Sequence, residues 1–261
     1  MTVPGAGPKI RLKLTIAYDG RSFRGWQSQV GKDAVQDHLE AALEKLCGYR
    51  VVVHGSGRTD AGVHALGQTA HIDVPADKFD LRTWHLGINA RLPQAVRVMK
   101  VQRAAPDFHA RFHAEGKVYA YRIWNGPVLH PLEIGRAWHV HGALDFEALK
   151  RAATCLTGTH DFASFAANRG RPDKDTVRTI HKIRLSRRGP LLTLRFEGTG
   201  FLYRMVRLLT GSMIRCAQGR EPVEWLTNFL KSKGATKTHF LAPAEGLYLE
   251  RVIYPTRRRL S

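Results

Sequence analysis

Short stretches with the pattern of β-strands alternate along this chain with segments of helical periodicity. Residues 9–18 alternate apolar and polar positions and predict a first strand. The next segment predicts a helix that Asp33 caps, with Gln36 as the partner in a capping box. The apolar stripe of this helix consists of Val35, Leu39, Leu43 and Leu46. The first half also holds a predicted helix at residues 81–91 and predicted strands at residues 50–54, 67–74 and 95–103.

The second half of the chain repeats this theme. A helix is predicted from its N-cap Asp145 through Leu156, another over residues 201–218, and a third from Pro222, a residue favoured in the first helical turn. Strands are predicted at residues 117–125, 177–186, 190–198 and 247–254. Successive strands are joined by short turns such as Arg188-Gly189-Pro190, which favours antiparallel pairing over a doubly wound parallel sheet.

Two similar β/α halves therefore predict an α+β protein with ferredoxin-like or RRM-like halves and a mainly antiparallel sheet. The predicted domains are residues 1–113 and residues 114–261. Proteins with two such halves usually bind ligands in the cleft between them, so we expect the active site there.

The charge of the chain indicates a polyanionic partner. Lys and Arg number 41 against 22 Asp and Glu, which gives a net charge of +19. Neutralising phosphates releases counterions, and this release drives the binding of nucleic acids. A membrane is not expected as a partner, because no apolar stretch reaches spanning length. Residues 257–259 form a basic run that we expect to be a frayed end, with contact to RNA as the alternative.

The cysteines and the first residues indicate a cytoplasmic protein. Residues 1–9 lack the apolar region that a secretory signal needs. Cys47, Cys155 and Cys216 are far apart and have no CxxC spacing, so we expect reduced thiols.

Residues 55–66, with the sequence GSGRTDAGVHAL, are the stretch most indicative of chemistry. Glycines flank Arg58 and Asp60, and a glycine lets a ligand approach the backbone closely. If the backbone is extended here, the two charged side chains share one side of it. The stretch predicts a site for a charged, bulky substrate, with a solvated turn and an incidental ion pair as the alternative.

Three histidines, His54, His64 and His71, lie near this loop in sequence. No HExxH motif and no cysteine partner accompanies them, so we expect no structural or catalytic metal.

Four further segments accompany the loop in order along the chain. They are residues 18–27 (YDGRSFRGWQ), 108–111 (FHAR), 200–207 (GFLYRMVR) and 242–248 (APAEGLY). With GRTDAGVHA, which is highly specific, these segments make the chain from about Lys9 to Tyr254 resemble the tRNA pseudouridine synthase A family. The resemblance implies the pseudouridine synthase fold and an isomerase that converts uridine to its C-glycoside isomer without cofactor or metal. It also implies a homodimer that acts on tRNA at uridines 38, 39 and 40 of the anticodon stem-loop.

The resemblance assigns the catalytic residues. The resemblance makes Asp60 the nucleophile, with attack on the sugar and attack on the pyrimidine ring as the two alternatives. A carboxylate that stays ionised in a dry site is a competent covalent catalyst. Arg58 is linked to flipping the target base out of its stem, with a plain phosphate contact as the alternative. Arg207 lies in a helix that is apolar nearly all round, and it is the cation expected against the aspartate unless its guanidinium reaches solvent instead.

The resemblance also assigns residues that bind the substrate. Tyr119 is expected to stack on the uracil and to take part in proton removal, although an ordinary core aromatic is the alternative. Leu247 adds an apolar wall. Phe108, His109 and Arg111 are expected to shape the RNA entrance, with Arg111 on a phosphate.

One departure from the family pattern affects the path of the RNA. Ala166 stands where the family often has a basic or polar residue, and Asn168, Arg169 and Arg171 are expected to take over that contact.

A non-catalytic RNA-binding protein with two RRM-like halves is the alternative function. It explains the charge and the β/α pattern, but no stretch matches the aromatic RNP strand and the Asp60 loop has no role in it. A metal-dependent nuclease lacks a carboxylate cluster here, and a zinc deaminase lacks its H-x-E and P-C-x-x-C signature.

Overall fold

The computed structural model describes residues 7–167 and 175–255 and confirms the α+β class. The helices of this part are α1 (Val35–Cys47), α2 (Leu81–Asn89), α3 (Phe146–Leu156), α4 (Met205–Ala217) and α5 (Glu224–Lys231). The strands are β1 (Lys9–Tyr18), β2 (His54–Gly55), β3 (His64–Pro75), β4 (Val96–Arg103), β5 (Gly116–Trp124), β6 (Trp138–His139), β7 (Gly158–Asp161), β8 (Val177–Arg188), β9 (Leu191–Gly198) and β10 (Leu247–Ile253). Asn168, Arg169, Arg171 and the basic run 257–259 lie outside the described residues.

The chain forms two compact units. The first takes the chain up to Glu115 and again from Leu249, and the second is Gly116–Tyr248. Strand β10 therefore begins in the second unit and ends in the first. The predicted domains 1–113 and 114–261, with a site in a cleft between them, stay predictions.

The first unit is a sheet with helices α1 and α2, in which β1 pairs antiparallel with β3 and β4, and β2 pairs antiparallel with β3. Its strands lie in the order β4, β1, β3 and β10, and β2 pairs with β3. Alternate residues of β1, namely Leu12, Leu14 and Ile16, are completely buried, as the apolar and polar alternation predicts. The apolar stripe of α1 is buried at Val35, Leu39 and Leu43.

The second unit has its own antiparallel strands in the order β5, β9, β8 and β7, with β6 parallel to β5. The predicted pairing through Arg188-Gly189-Pro190 is confirmed, and Gly189 has a positive φ of 56° in that turn. Helix α4 is the most deeply buried helix of this unit, since all of its residues except Arg207 and Arg215 are buried.

The predicted cap of the first helix is wrong. The N-cap is Ala34 rather than Asp33, and its N–H donates to the side chain of Asp37 at 3.0 Å. Gln36 takes no part in a capping box; its buried amide donates instead to Glu40 at 3.1 Å and to the carbonyl of Val53 at 3.1 Å. The helix therefore uses the polar residues of its first turn to hold a neighbouring backbone segment.

That interaction also explains why the predicted strand 50–54 is reduced to His54–Gly55. The carbonyl of Val53 accepts from Gln36, and the N–H of Val53 donates to Glu40 at 3.2 Å. Both backbone groups of Val53 are thus satisfied by side chains of α1, so no strand partner is required there.

Two helix starts in the second unit are also wrong. Helix α4 starts at Met205 rather than at residue 201, because Arg204 before it adopts a left-handed backbone with φ of 60°. Helix α5 starts at Glu224, with Val223 as its N-cap, so Pro222 lies before the helix.

Among the described residues, every helix is too short or too polar to span a membrane.

Candidate functional site

The loop that carries Asp60 lies between β2 and β3, and a buried glutamine holds its first residues through hydrogen bonds. Gln68, on β3, is completely buried. Its Oε1 accepts a hydrogen bond from Ser56 Oγ at 2.7 Å, and its Nε2 donates to the carbonyl of Gly57 at 2.9 Å. The backbone N–H of Ser56 also donates to the carbonyl of Thr69 at 2.8 Å. The first residues of the loop are therefore held by side-chain and backbone bonds to β3.

Thr59, the residue before Asp60, is held from two sides. Its Oγ1 lies 2.8 Å from the hydroxyl of Tyr18 at the end of β1, and both side chains are buried. Its carbonyl accepts from the N–H of Trp26 at 3.1 Å. Burial raises the pKa of Tyr18 far above its ordinary value, so the phenol stays protonated and can donate to Thr59.

Two glycines of the YDGRSFRGWQ segment make room for the loop. A Cβ on Gly25 would lie 2.6 Å from the carbonyl oxygen of Thr59, and Gly25 has a positive φ of 94°. A Cβ on Gly20 would collide with the carbonyl of Val63 at the end of the loop. Only glycine fits at either position, which explains why this segment accompanies the loop in sequence.

The two charged residues of the loop differ in exposure. Asp60 is half-buried, and its carbonyl accepts from the N–H of Val63 at 3.1 Å in a tight turn. Arg58 is exposed, and its Nε donates to Gln27 Oε1 at 3.3 Å. The backbone of Asp60 is therefore fixed and the residue is partly shielded from water. The exposed guanidinium of Arg58 can reach an incoming ligand.

Arg207 lies in α4 of the second unit and is half-buried. Its Nε donates to the carbonyl of Ala242 at 2.7 Å, and its own carbonyl accepts from the N–H of Ala242 at 3.2 Å. The residue therefore anchors the start of the APAEGLY segment to the buried helix.

Tyr119 and Leu247 are both buried in the second unit. The ring of Tyr119 meets that of Phe201 edge to face, with centroids 5.2 Å apart. Its neighbour on the same side of β5, Tyr121, donates from its hydroxyl to the carbonyl of Pro243 at 2.7 Å. A Cβ on Gly246 would lie 2.6 Å from the Tyr121 ring, so the segment before Leu247 fits tightly against β5.

Phe201 is a neighbour of Tyr119 that the sequence analysis did not single out. It lies in the GFLYRMVR segment, where it precedes α4 rather than forming its first turn. The only sequence signal for Phe201 was its position in the GFLYRMVR segment. Its contact with Tyr119 depends on the fold and could not be predicted from the sequence.

The FHAR segment belongs to the first unit. Phe108 is half-buried, and its ring lies 5.2 Å from that of Tyr254. Its carbonyl accepts from Arg11 Nη1 at 2.9 Å. Arg111 is exposed and His109 is half-buried. The segment therefore presents an exposed guanidinium next to a partly buried imidazole.

The structure does not bring together the three histidines that lie near the loop in sequence, His54, His64 and His71. His54 and His71 cluster with His109, and one nitrogen of each ring lies within 4.8 Å of the others. His64 is separate: its Nδ1 accepts from the N–H of Gly20 at 3.1 Å and lies 3.3 Å from Asp19 Oδ1. By distance alone, this group of described histidines is close enough together to hold a metal ion.

Comparison with known proteins identifies the family. A family model described as tRNA pseudouridine synthase matches residues 14–113 and 152–255. A tRNA pseudouridine synthase A of Akkermansia muciniphila is 44% identical over 94% of this chain and 95% of its own length. Proteins of the same name from Bacillus licheniformis (43% identical; 94% of this chain, 99% of that protein) and Solidesulfovibrio magneticus (44%; 94% and 91%) are similarly related. The chain belongs to the tRNA pseudouridine synthase family, whose members are isomerases.

The resemblance found in the sequence is thereby confirmed. The roles of Asp60, Arg58, Tyr119, Arg207 and the substrate-binding residues stay predictions, because family membership does not test individual side chains.

Proposed function

We propose that this protein converts uridine to pseudouridine in tRNA, with Asp60 as the nucleophile and without a cofactor or metal. Family membership over most of the chain and the name shared by its relatives support this reaction. The net charge of +19 supports a polyphosphate substrate. Uridines 38, 39 and 40 of the anticodon stem-loop are the proposed targets.

The observation that carries the proposal is the rigid support of the Asp60 loop. Catalytic groups are effective when neighbouring packing and hydrogen bonds fix them close to the reactive geometry. Gln68 and Tyr18 hold Ser56 and Thr59, on the N-terminal side of Asp60, through buried hydrogen bonds. A loop that served only as a solvated turn would not need this support, and the half-buried carboxylate is suited to covalent catalysis.

Arg58 is proposed to assist flipping of the target base. Its side chain is exposed and donates to Gln27 at the long distance of 3.3 Å, so it is available to fill the space that the base leaves or to bind a phosphate. Phe108, His109 and Arg111 are proposed to line the RNA entrance.

The residues of the second unit keep the roles proposed from the family. Tyr119 stacks on the uracil, and Leu247 adds apolar surface around the base. Arg207 supplies the positive charge that favours an ionised carboxylate. A homodimer in the cytoplasm that binds one tRNA with both subunits is the proposed working form.

Release of the uracil C5 hydrogen tests the reaction, because it occurs when the ring carbon bonds to the ribose. Wild-type protein should release tritium from tRNA labelled at uracil C5 in the presence of a metal chelator. Asp60→Asn should bind the same tRNA but release none, whereas the control Asp77→Asn, at an exposed residue of the same unit, should match wild type.

Two results would contradict the proposal. Full release by Asp60→Ala would remove the aspartate from the chemistry. Tight tRNA binding without release by the wild type would support the non-catalytic RNA-binding alternative.

A further inference from the structure

Three imidazole rings of the first unit converge at one place. His54 on β2 and His71 on β3 are cross-strand partners, and their rings stack with centroids 4.7 Å apart and an interplanar angle of 15°. The ring of His109 lies 4.7 Å from that of His71. His71 is buried, His109 is half-buried and His54 is exposed, so the cluster is accessible from the side of His54.

The backbone determines which ring nitrogens carry protons. Nδ1 of His71 accepts a hydrogen bond from the N–H of Ala110 at 3.1 Å. Nδ1 of His109 accepts from the N–H groups of Arg111 at 3.1 Å and Phe112 at 3.3 Å. An accepting nitrogen must keep its lone pair, so the proton of each neutral ring lies on Nε2. The other ring nitrogens of His71 and His109, the Nε2 atoms, are therefore N–H donors.

This tautomer is unsuited to a metal ion. A histidine that binds a metal through Nε2 needs the lone pair there and usually donates from Nδ1 to a carbonyl or carboxylate. Here the two Nδ1 atoms accept, so binding a cation would break three backbone hydrogen bonds. The nearby carboxylate of Asp73 is engaged through both oxygens by Arg11, at 2.8 and 2.7 Å.

The surrounding charges also favour an anion. Burial, followed by the charges of His54 and Arg11, lowers the pKa of His71 to about 4. The pKa of His109 is lowered by burial and then by the charges of His54, Arg11, His113 and Arg111. Asp73 opposes these effects at His71 but is paired with Arg11. N–H donors of neighbouring rings in a positive potential are the kind of group that binds an anion.

We propose that His54, His71 and His109 form a binding site for one phosphate group of the RNA substrate. Nε2 of His71 and of His109 donate to the phosphate oxygens, and exposed His54 closes the site from the solvent side. The source of the phosphate depends on the proposed function, whereas the anion site itself does not.

Histidine NMR with inorganic phosphate and sulfate tests the site directly. Long-range proton–nitrogen spectra of the free protein should show His71 and His109 as Nε2–H tautomers, with resonances assigned from single His→Gln variants. Either anion should shift both rings saturably with one-to-one stoichiometry. His54→Gln and His109→Gln should weaken sulfate binding about tenfold, as expected for losing a hydrogen bond to a charged group, and exposed His141→Gln in the other unit should not.

Two outcomes would overturn the site itself. One is Nδ1–H tautomers with stoichiometric Zn²⁺ binding at these rings. The other is the absence of saturable shifts with either anion in a folded protein.

Competition with tRNA tests the source of the phosphate. Unmodified tRNA should displace sulfate from wild type, and His54→Gln should raise KM for tRNA several-fold with little change in kcat. Sulfate that tRNA cannot displace would overturn the assignment to RNA. If hydrogen release fails in wild type while sulfate still binds, the proposed reaction is wrong and the anion site stands.

Discussion

The hydrogen bond between Tyr18 and Thr59 offers a sharp test of how the loop is supported. Tyr18→Phe removes one hydroxyl and leaves the ring in place. Both residues are buried, at 5% and 6% exposure, so the Thr59 hydroxyl loses a partner that water cannot easily replace. The lost bond and the unsatisfied group together cost about 1–3 kcal/mol of unfolding free energy. Each kcal/mol corresponds to about 2–4 °C in Tm for a chain of this size.

Catalysis should be affected as well, because Thr59 precedes the proposed nucleophile. A displacement of about 1 Å in a reacting group can reduce the rate about 100-fold. We therefore expect Tyr18→Phe to lower kcat for hydrogen release by more than it changes KM.

Tyr49→Phe is the matched control for this experiment. The hydroxyl of Tyr49 is also buried, but it has no hydrogen-bond partner among the described residues. Removing it should leave stability unchanged or slightly increased, and turnover unchanged. Thermal unfolding and single-turnover hydrogen release of the two variants give the comparison.

A double variant separates the lost bond from the unsatisfied group. Removing both partners can be nearly neutral, so Tyr18→Phe/Thr59→Val should regain part of the lost stability. Equal Tm and kcat for Tyr18→Phe and Tyr49→Phe would refute the inferred role of this hydrogen bond.

Three further predictions follow from the site. Gly25→Ala introduces both backbone strain and a clash with the carbonyl of Thr59, so it should lower Tm more than Gly48→Ala, which has φ of 81° but open space around its Cβ; equal losses would argue against the clash. Arg58→Ala should reduce turnover at nearly unchanged Tm. Arg207→Ala should reduce both turnover and Tm, because its hydrogen bond to the backbone carbonyl of Ala242 is lost. The reverse order would mean that the two roles are exchanged. Binding of tRNA should weaken steeply with added salt in a filter-binding assay, and a flat response would contradict binding through phosphates.

Local sequence identified the elements better than their ends. The alternation in β1 and the stripe of α1 are reflected directly in buried residues, because both depend on periodicities of the chain itself. Asp33 had the chemistry of an N-cap, yet Ala34 occupies that position. The reason is tertiary: the first helical N–H groups, of Val35 and Gln36, donate to the backbone carbonyls of Gly25 and Trp26, so no side-chain cap is needed. Separately, Gln36 and Glu40 satisfy the backbone of Val53, which shortens the predicted strand.

Local sequence was limited in the same way at the candidate site, where it could not predict the supporting contacts. The family motifs indicated Asp60 and its loop, but nothing local marks Gln68 as the residue that supports it. Likewise, His71 and His109 are 38 positions apart, and only the return of the FHAR segment onto β3 brings them together. Contacts of this kind are set by the fold and carry no periodic signal.

The division of β10 between the two units has a consequence for synthesis on the ribosome. The unit that carries Asp60 is completed by residues from Leu249 on: Ile253 accepts from the N–H of Glu115 at 2.9 Å, and the hydroxyl of Tyr254 donates to Ala110 at 2.6 Å. Although N-terminal domains generally fold first as they emerge, this one lacks the strand beside β3 until β10 has been translated. A nascent polypeptide that has not yet reached Leu249 thus holds Asp60 on an unfinished sheet, so this unit cannot complete its fold until β10 has been translated.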